Sequence, residues 1–91
     1  MITSFRCDDT KAVFGGKQAR TFQSIGRVAF RKLAQLDSAT SLHDLKSPGN
    51  SLEKLHGDRE GQHSIRVNEQ YRICFEWDGN NASNVEIVDY H

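Results

Sequence analysis

A single proline, two cysteines and no apolar run near the roughly 20 residues that span a bilayer set the first limits on this 91-residue chain. The missing run excludes insertion as a membrane helix. Met1-Ile2-Thr3-Ser4-Phe5-Arg6-Cys7 also lacks the basic stretch and apolar block of a secretory leader, so a cytoplasmic address is expected. Cys7 and Cys74 are expected to stay reduced, Cys74 because it sits in the strand-like run Tyr71-Arg72-Ile73-Cys74-Phe75, where a free thiol serves as a small core residue. His43, His56, His63 and His91 form no close pair, and no Cys-x-x-Cys accompanies them, so no metal or other cofactor is expected. Repeats and low-complexity tracts are absent, which leaves one domain over residues 1–91.

Net charge is absent too, but the zero conceals a gradient. Residues 1–72 hold all 12 Lys/Arg against 8 acids, a balance of +4, and residues 73–91 hold 4 acids and no base, a balance of −4. A basic face is therefore compatible with overall neutrality, because local potential decides whether phosphate is attracted.

What is present reads as two halves. Residues 2 to 7 alternate as a short strand would, and Asp8-Asp9-Thr10 can open a short helix through Phe14 that Gly15-Gly16 ends. Between Lys17 and Asp37, Phe22, Ile25, Ala29, Leu33 and Leu36 recur at spacings of 3 and 4, the mark of an amphipathic helix with its apolar face toward a sheet. A second stripe, Lys17, Arg20, Ser24, Arg27 and Arg31, gathers cations on one face of that helix, for solvent, an acidic partner or a nucleic-acid backbone. Gly26 inside it costs roughly 1 kcal/mol against Ala and leaves room for a close approach. Thr40 or Ser41 can cap a helical turn through Leu45, and Lys46-Ser47-Pro48-Gly49-Asn50-Ser51 is a loop by composition.

The second half changes character. Gly57-Asp58-Arg59-Glu60-Gly61 is a turn, and His63 to Val67 with Tyr71 to Trp77 form a hairpin across Asn68-Glu69-Gln70. Asp78 to Asn84 turns the chain again before a last strand from Val85 to Val88. The expected class is α+β, helices on one face of an antiparallel meander. In the hairpin Ile65, Val67, Tyr71, Ile73, Phe75 and Trp77 share one face, and Arg66, Arg72, Cys74 and Glu76 point the other way.

The chain ends on Asp89-Tyr90-His91, directly after that strand. An arginine, a carboxylate, a phenol and histidines suit metal-free cleavage of an RNA phosphodiester. A base takes the 2′-hydroxyl proton, arginine stabilises charge on the phosphate, and an acid protonates the leaving 5′-oxygen. Histidine is well tuned for either proton role near neutral pH, and an exposed Tyr90 can stack a splayed base. Arg72 and Asp89 can equally form a plain salt bridge. Which side chains converge depends on strand register.

The stretch Gly49-Asn50-Ser51-Leu52-Glu53-Lys54-Leu55, the turn Gly57-Asp58-Arg59-Glu60-Gly61, the hairpin Ser64 to Phe75 and the terminal Val85-Glu86-Ile87-Val88-Asp89-Tyr90-His91 together resemble the HigB/killer-protein branch of the RelE/ParE toxin superfamily, close to its GraT-like members. The resemblance implies a compact microbial RNase-like fold, with an N-terminal strand and helices packed on a curved antiparallel sheet. It implies the toxin of a type II toxin-antitoxin pair, cutting messenger RNA in the ribosomal decoding site without a metal. By the same resemblance Arg72 matches the arginine that holds the scissile phosphate, and Asp89, Tyr90 and His91 match the terminal active-site residues. Asp89 or His91 would move protons and Tyr90 would position base or phosphate. Relatives carry a His and a Lys where this chain has Glu53 and His56, so the lysine's role would pass to protonated His56 or to Lys54. Arg59, Arg66, Arg20, Arg27 and Arg31 are the further candidates for RNA contact. A helix-turn-helix, HigA-like antitoxin is the implied partner, with operator DNA reached only through that complex. The alternative is a toxin fold that arrests translation or another essential target, such as gyrase, by binding without cleavage.

Overall fold

The computed structural model describes residues 1–89. Helix α1 (Asp8–Phe14) and helix α2 (Gly26–Ser38) lie on an antiparallel sheet in the order β1 (Glu53–Lys54), β2 (Gln62–Arg66), β3 (Tyr71–Trp77), β4 (Ala82–Asp89). Single 3-10 turns at Arg20–Phe22, Leu42–Leu45 and Gly57–Arg59 join these elements. The α+β class is as expected, and among the described residues no helix is long and apolar enough to cross a membrane.

The meander follows from its turn chemistry. Asn68 Oδ1 accepts the Gln70 and Tyr71 N–H groups at 2.8 and 2.7 Å, so the β2–β3 connection is an Asx-type turn. Asp78 Oδ1 does the same for Asn80 and Asn81, with Gly79 at φ +105, and those N–H bonds hold the Asp78 carboxyl below its usual value. Between the turns, β3 supplies Ile73 and Phe75 to the core, while Arg72 and Cys74 turn away from it, as alternation requires. Cys74 and Cys7 are free thiols, and burial pushes the Cys74 thiol up.

The apolar stripe Phe22, Ile25, Ala29, Leu33 and Leu36 is buried as its spacing predicts, but it does not belong to one helix. The chain makes a 3-10 turn at Arg20–Phe22 and starts afresh at Gly26, with Ile25 as N-cap residue. Both Phe22 and Ile25 reach the core from that break, which a continuous helix could also have achieved, so spacing alone does not separate the two. Gly26 consequently opens α2 rather than interrupting it, and a Cβ there would meet nothing within 4 Å, so it serves no close approach. The basic row breaks with the helix: Lys17 and Arg20 precede α2, and only Arg27 and Arg31 ride on it, all exposed.

The N-terminal segment is two isolated parallel bridges to β4, Ile2 to Ala82 and Phe5 to Val85, not a full strand. A bulge in β4 opposite Cys74 and Glu76, with Asn84 at φ +50, shifts the pairing and lets Ile2 and Phe5, three apart, both pack on the core. Further along β4, the Ile87 N–H donates to the buried Thr10 Oγ1 at 3.0 Å, so α1 satisfies a donor on the sheet edge. The turn Leu42–Leu45 is closed by Asp44, whose carboxylate accepts the Thr40 N–H and Oγ1 at 2.9 and 3.1 Å.

Candidate functional site

Arg72 is the most constrained of the expected site residues. It projects from β3 on the face opposite Ile73 and is only 8% exposed. Its Nε donates to Ser64 Oγ at 2.8 Å, and Nη2 donates to the Ser51 carbonyl and, at 3.5 Å, to the Ser64 carbonyl. Ser51 presents that carbonyl from a left-handed backbone at φ +44, a conformation L-residues other than Asn and Asp seldom adopt. Register sets Arg66 of β2 directly opposite Arg72, with Val88 of β4 on its other side. Like charges placed face to face across strands are unfavourable, so this corner concentrates positive potential at a cost to the sheet.

The loop that holds Arg72 is itself fixed by a buried amide. Asn50 is 1% exposed. Its Nδ2 donates to the Leu45 carbonyl at 3.0 Å and to Gln35 Oε1 at 3.3 Å, and its Oδ1 accepts a bond from Lys32 Nζ of α2. The Asn50 carbonyl accepts the Arg66 N–H, which ties the loop to the sheet edge. Burial, then Arg31 and Arg66, hold the Lys32 ammonium below its usual value. One residue thus links α2, the loop and the strand that carries Arg66, through its side chain and its own carbonyl. No sequence signal marks it, because Gly-Asn-Ser after a proline reads only as loop.

Glu53 is the second residue that sequence reasoning did not place. It pairs with Ser64, which pairs with Cys74 and onward with Glu86, and cross-strand partners share a face. Glu53 is therefore exposed on the Arg72 face, beside the serine that Arg72 Nε grips. A two-residue strand carries too little alternation to be read in sequence, and its orientation comes only from pairing.

Asp89 is placed differently. It pairs with Tyr71, one position along from the Arg72–Val88 pair, which sets it on the opposite face of the sheet, and its Oδ2 accepts Gln70 Nε2 at 3.1 Å. Register thus directs Arg72 and Asp89 to different faces. Tyr90 and His91 lie outside the described residues. His56 is exposed at the start of the Gly57–Arg59 turn, with Nδ1 4.0 Å from Glu60. Lys54 is exposed on β1 opposite His63, and Arg66 Nε donates to the Asn68 carbonyl at 3.1 Å. Arg59 Nη1 donates to Glu86 at 2.7 Å and to Gln62 Oε1 at 3.1 Å, and with Arg6, Asp58 and Glu86 it lines a polar recess. Arg20 lies on the turn before α2, and Arg27 and Arg31 lie on α2 itself. Among the described residues no three His, Cys, Asp or Glu side chains gather as a metal site would need.

Comparison with known proteins gives the family and the fold. A family model described as the RelE-like toxin of type II toxin-antitoxin system HigB matches residues 3–91. "Toxin HigB-1" of Vibrio cholerae serotype O1 is 51% identical over 55 residues, which is 59% of this chain and 58% of that protein, so the match spans little more than half of this relative. "Endoribonuclease HigB" of Proteus vulgaris is 34% identical over 93 aligned residues, covering 100% of both chains. Among solved structures, the YoeB-YefM complex from Staphylococcus aureus superposes with a TM-score of 0.63 at 22% identity, over 100% of this chain and 95% of the other. The YoeB dimer from the same organism gives 0.61 at 22% identity, over 99% and 94%. Both likenesses concern the fold.

Proposed function

The chain belongs to the HigB-like family of RelE-like toxins of type II toxin-antitoxin systems, and from that premise we propose that it is an endoribonuclease that cuts messenger RNA on the ribosome. The observation that carries the nuclease reading is the clamped Arg72 beside Arg66, in a chain whose full-length relative in Proteus vulgaris is named an endoribonuclease. Ser64 and Ser51 hold Nε and Nη2 of Arg72 and so fix the direction from which its guanidinium would meet a phosphate.

In the proposed reaction the 2′-oxygen loses its proton to a base and attacks the adjacent phosphorus. The bond from phosphorus to the 5′-oxygen breaks, and that oxygen takes a proton from an acid. The products are a 2′,3′-cyclic phosphate and a 5′-hydroxyl end. Arg72 stabilises charge on the phosphate oxygens, an effect worth about 10²–10³ in rate for one such donor. Glu53, on the same face, and His91 are the candidates for proton transfer, Asp89 being directed to the other face, and Tyr90 positions base or phosphate. Lys54 and His56, on and just after the edge strand, are further candidates for contact with phosphate. Arg66 extends the phosphate contact, and Arg59 acts through its pair with Glu86 as a structural residue. The protein acts in the cytoplasm and is held inactive by an antitoxin with a helix-turn-helix DNA-binding domain, through which the pair reaches its operator.

Primer extension on message from translating ribosomes treated with purified protein tests the reading. Wild type is expected to cut, and Arg72→Ala and a chain ending at Tyr90 to cut far less. Equal cleavage by all three would remove the site assignment. Arrested translation without cleavage by wild type would favour a toxin that acts by binding.

A further inference from the structure

The recess bordered by Arg6, Asp58, Arg59 and Glu86 measures about 380 Å³, and three stretches far apart in the chain build it. Arg6 comes from the N-terminal segment, where its N–H donates to the Val85 carbonyl at 3.0 Å and sets it along β4 beside Glu86. Asp58 and Arg59 come from the Gly57–Arg59 turn, which Gly57 enters with a left-handed backbone at φ +67. Glu86 comes from β4 and holds Arg59 at 2.7 Å, so those two charges are matched to each other. Arg6 and Asp58 are exposed and form no ion pair among the described residues, although both border the same recess. One guanidinium and one carboxylate thus line a single space, each with room for a ligand between them.

The recess lies close to Arg72. Glu86 pairs with Cys74, two residues along β3 from Arg72 and on the same face, and strand spacing puts Arg72 and Glu86 about 8 Å apart at Cα. The buried Cys74 thiol feels the charges of Arg59, Glu86 and Arg72 together. A phosphate held at Arg72 would bring the base of an adjoining nucleotide within reach of the recess, and bases of single-stranded RNA can splay from the backbone. We propose that the recess reads a base beside the scissile phosphate and favours adenine, cytosine or guanine, which carry an exocyclic amino group, over uracil. Asp58 accepts from that amino group, and Arg6 donates to the acceptor ring nitrogen next to it. Uracil has carbonyl oxygens where the others have the amino group, and a carboxylate repels them. The assignment rests on the nuclease reading and adds base selectivity to it.

The test is primer extension on a set of messages that differ only in the bases on either side of the cut, translated by ribosomes treated with the purified full-length protein. Wild type is expected to cut messages with adenine, cytosine or guanine at one of the two positions about fivefold or more faster than those with uracil there. Asp58→Ala and Arg6→Ala, from separate elements, are each expected to narrow that ratio below about twofold by slowing the amino-bearing messages. Asp58→Asn, nearly identical in size and still able to accept from an amine, is expected to keep part of the preference. Arg72→Ala is expected to slow all messages alike and preserve their ratio, so the phosphate contact and the base contact are read separately. Wild-type cleavage indifferent to the base at both positions would overturn the proposal and leave the nuclease reading standing. So would a preference that survives unchanged in both alanine variants. No cleavage of any message by wild type would overturn both.

Discussion

Two arginines on the same sheet face meet opposite fates. Arg72 is held by a serine hydroxyl and two backbone carbonyls, and Arg59 is held at 2.7 Å by the carboxylate of Glu86. The bonds to Ser64 and Ser51 fix the direction of the Arg72 guanidinium, and the Glu86 carboxylate fastens the Gly57–Arg59 turn onto β4.

The contrast is broken most directly by removing each arginine in turn. Arg72→Ala is expected to lower cleavage about 100-fold or more, measured by primer extension, and Arg72→Lys to recover little because an ammonium cannot reproduce the fork. Arg59→Ala is expected to leave cleavage within about threefold. Comparable losses from both would end the distinction. The next effect lies in the loop that clamps Arg72. Asn50→Ala takes the partner from the buried Leu45 carbonyl and from the half-buried Gln35 amide oxygen and Lys32 ammonium, and a loss of about 2 kcal/mol is expected from urea denaturation. Glu53→Gln keeps size and hydrogen bonding but removes the proton acceptor on the Arg72 face. Cleavage is expected to fall about 100-fold, with no change in thermal midpoint. Cleavage equal to wild type would return the base role to His91.

The smallest effect concerns His63. Burial, with Lys54 opposite, holds its imidazole below the ordinary value of 6.5, and its Nδ1 is buried without a hydrogen-bond partner among the described residues. The unfolded chain therefore takes up a proton before the native one does. Stability is unaffected above about pH 6.5 and declines as pH falls through that value. His63→Leu is expected to flatten denaturation midpoints between pH 7 and 5, and an unchanged slope would assign the decline to the carboxylates.

The sequence shows which regions match a known toxin branch and which residue types are available for chemistry. It also shows the burial of Phe22, Ile25, Ala29, Leu33 and Leu36, because apolar side chains at spacings of 3 and 4 have one common destination. The hairpin was equally legible, since Asn68 and Asp78 close their turns with side chains that act within three residues of themselves. Local chemistry of that kind needs no tertiary context.

The separation of Arg72 from Asp89 is not legible in the sequence, because it turns on the parity of strand pairing, and a shift of one residue exchanges the faces. Pairing Arg72 with Val88 sets Asp89 on the far side, and pairing Glu53 with Ser64 brings in a carboxylate that sequence had marked only as a departure from its relatives. The break before α2, the hub at Asn50 and the recess beside Glu86 belong to the same class. Short-range pattern determined the hairpin turns and the core stripe, and the resemblance of longer motifs pointed to the family. Only the packed structure decided which side chains share a face, because that depends on contacts between residues far apart in the chain.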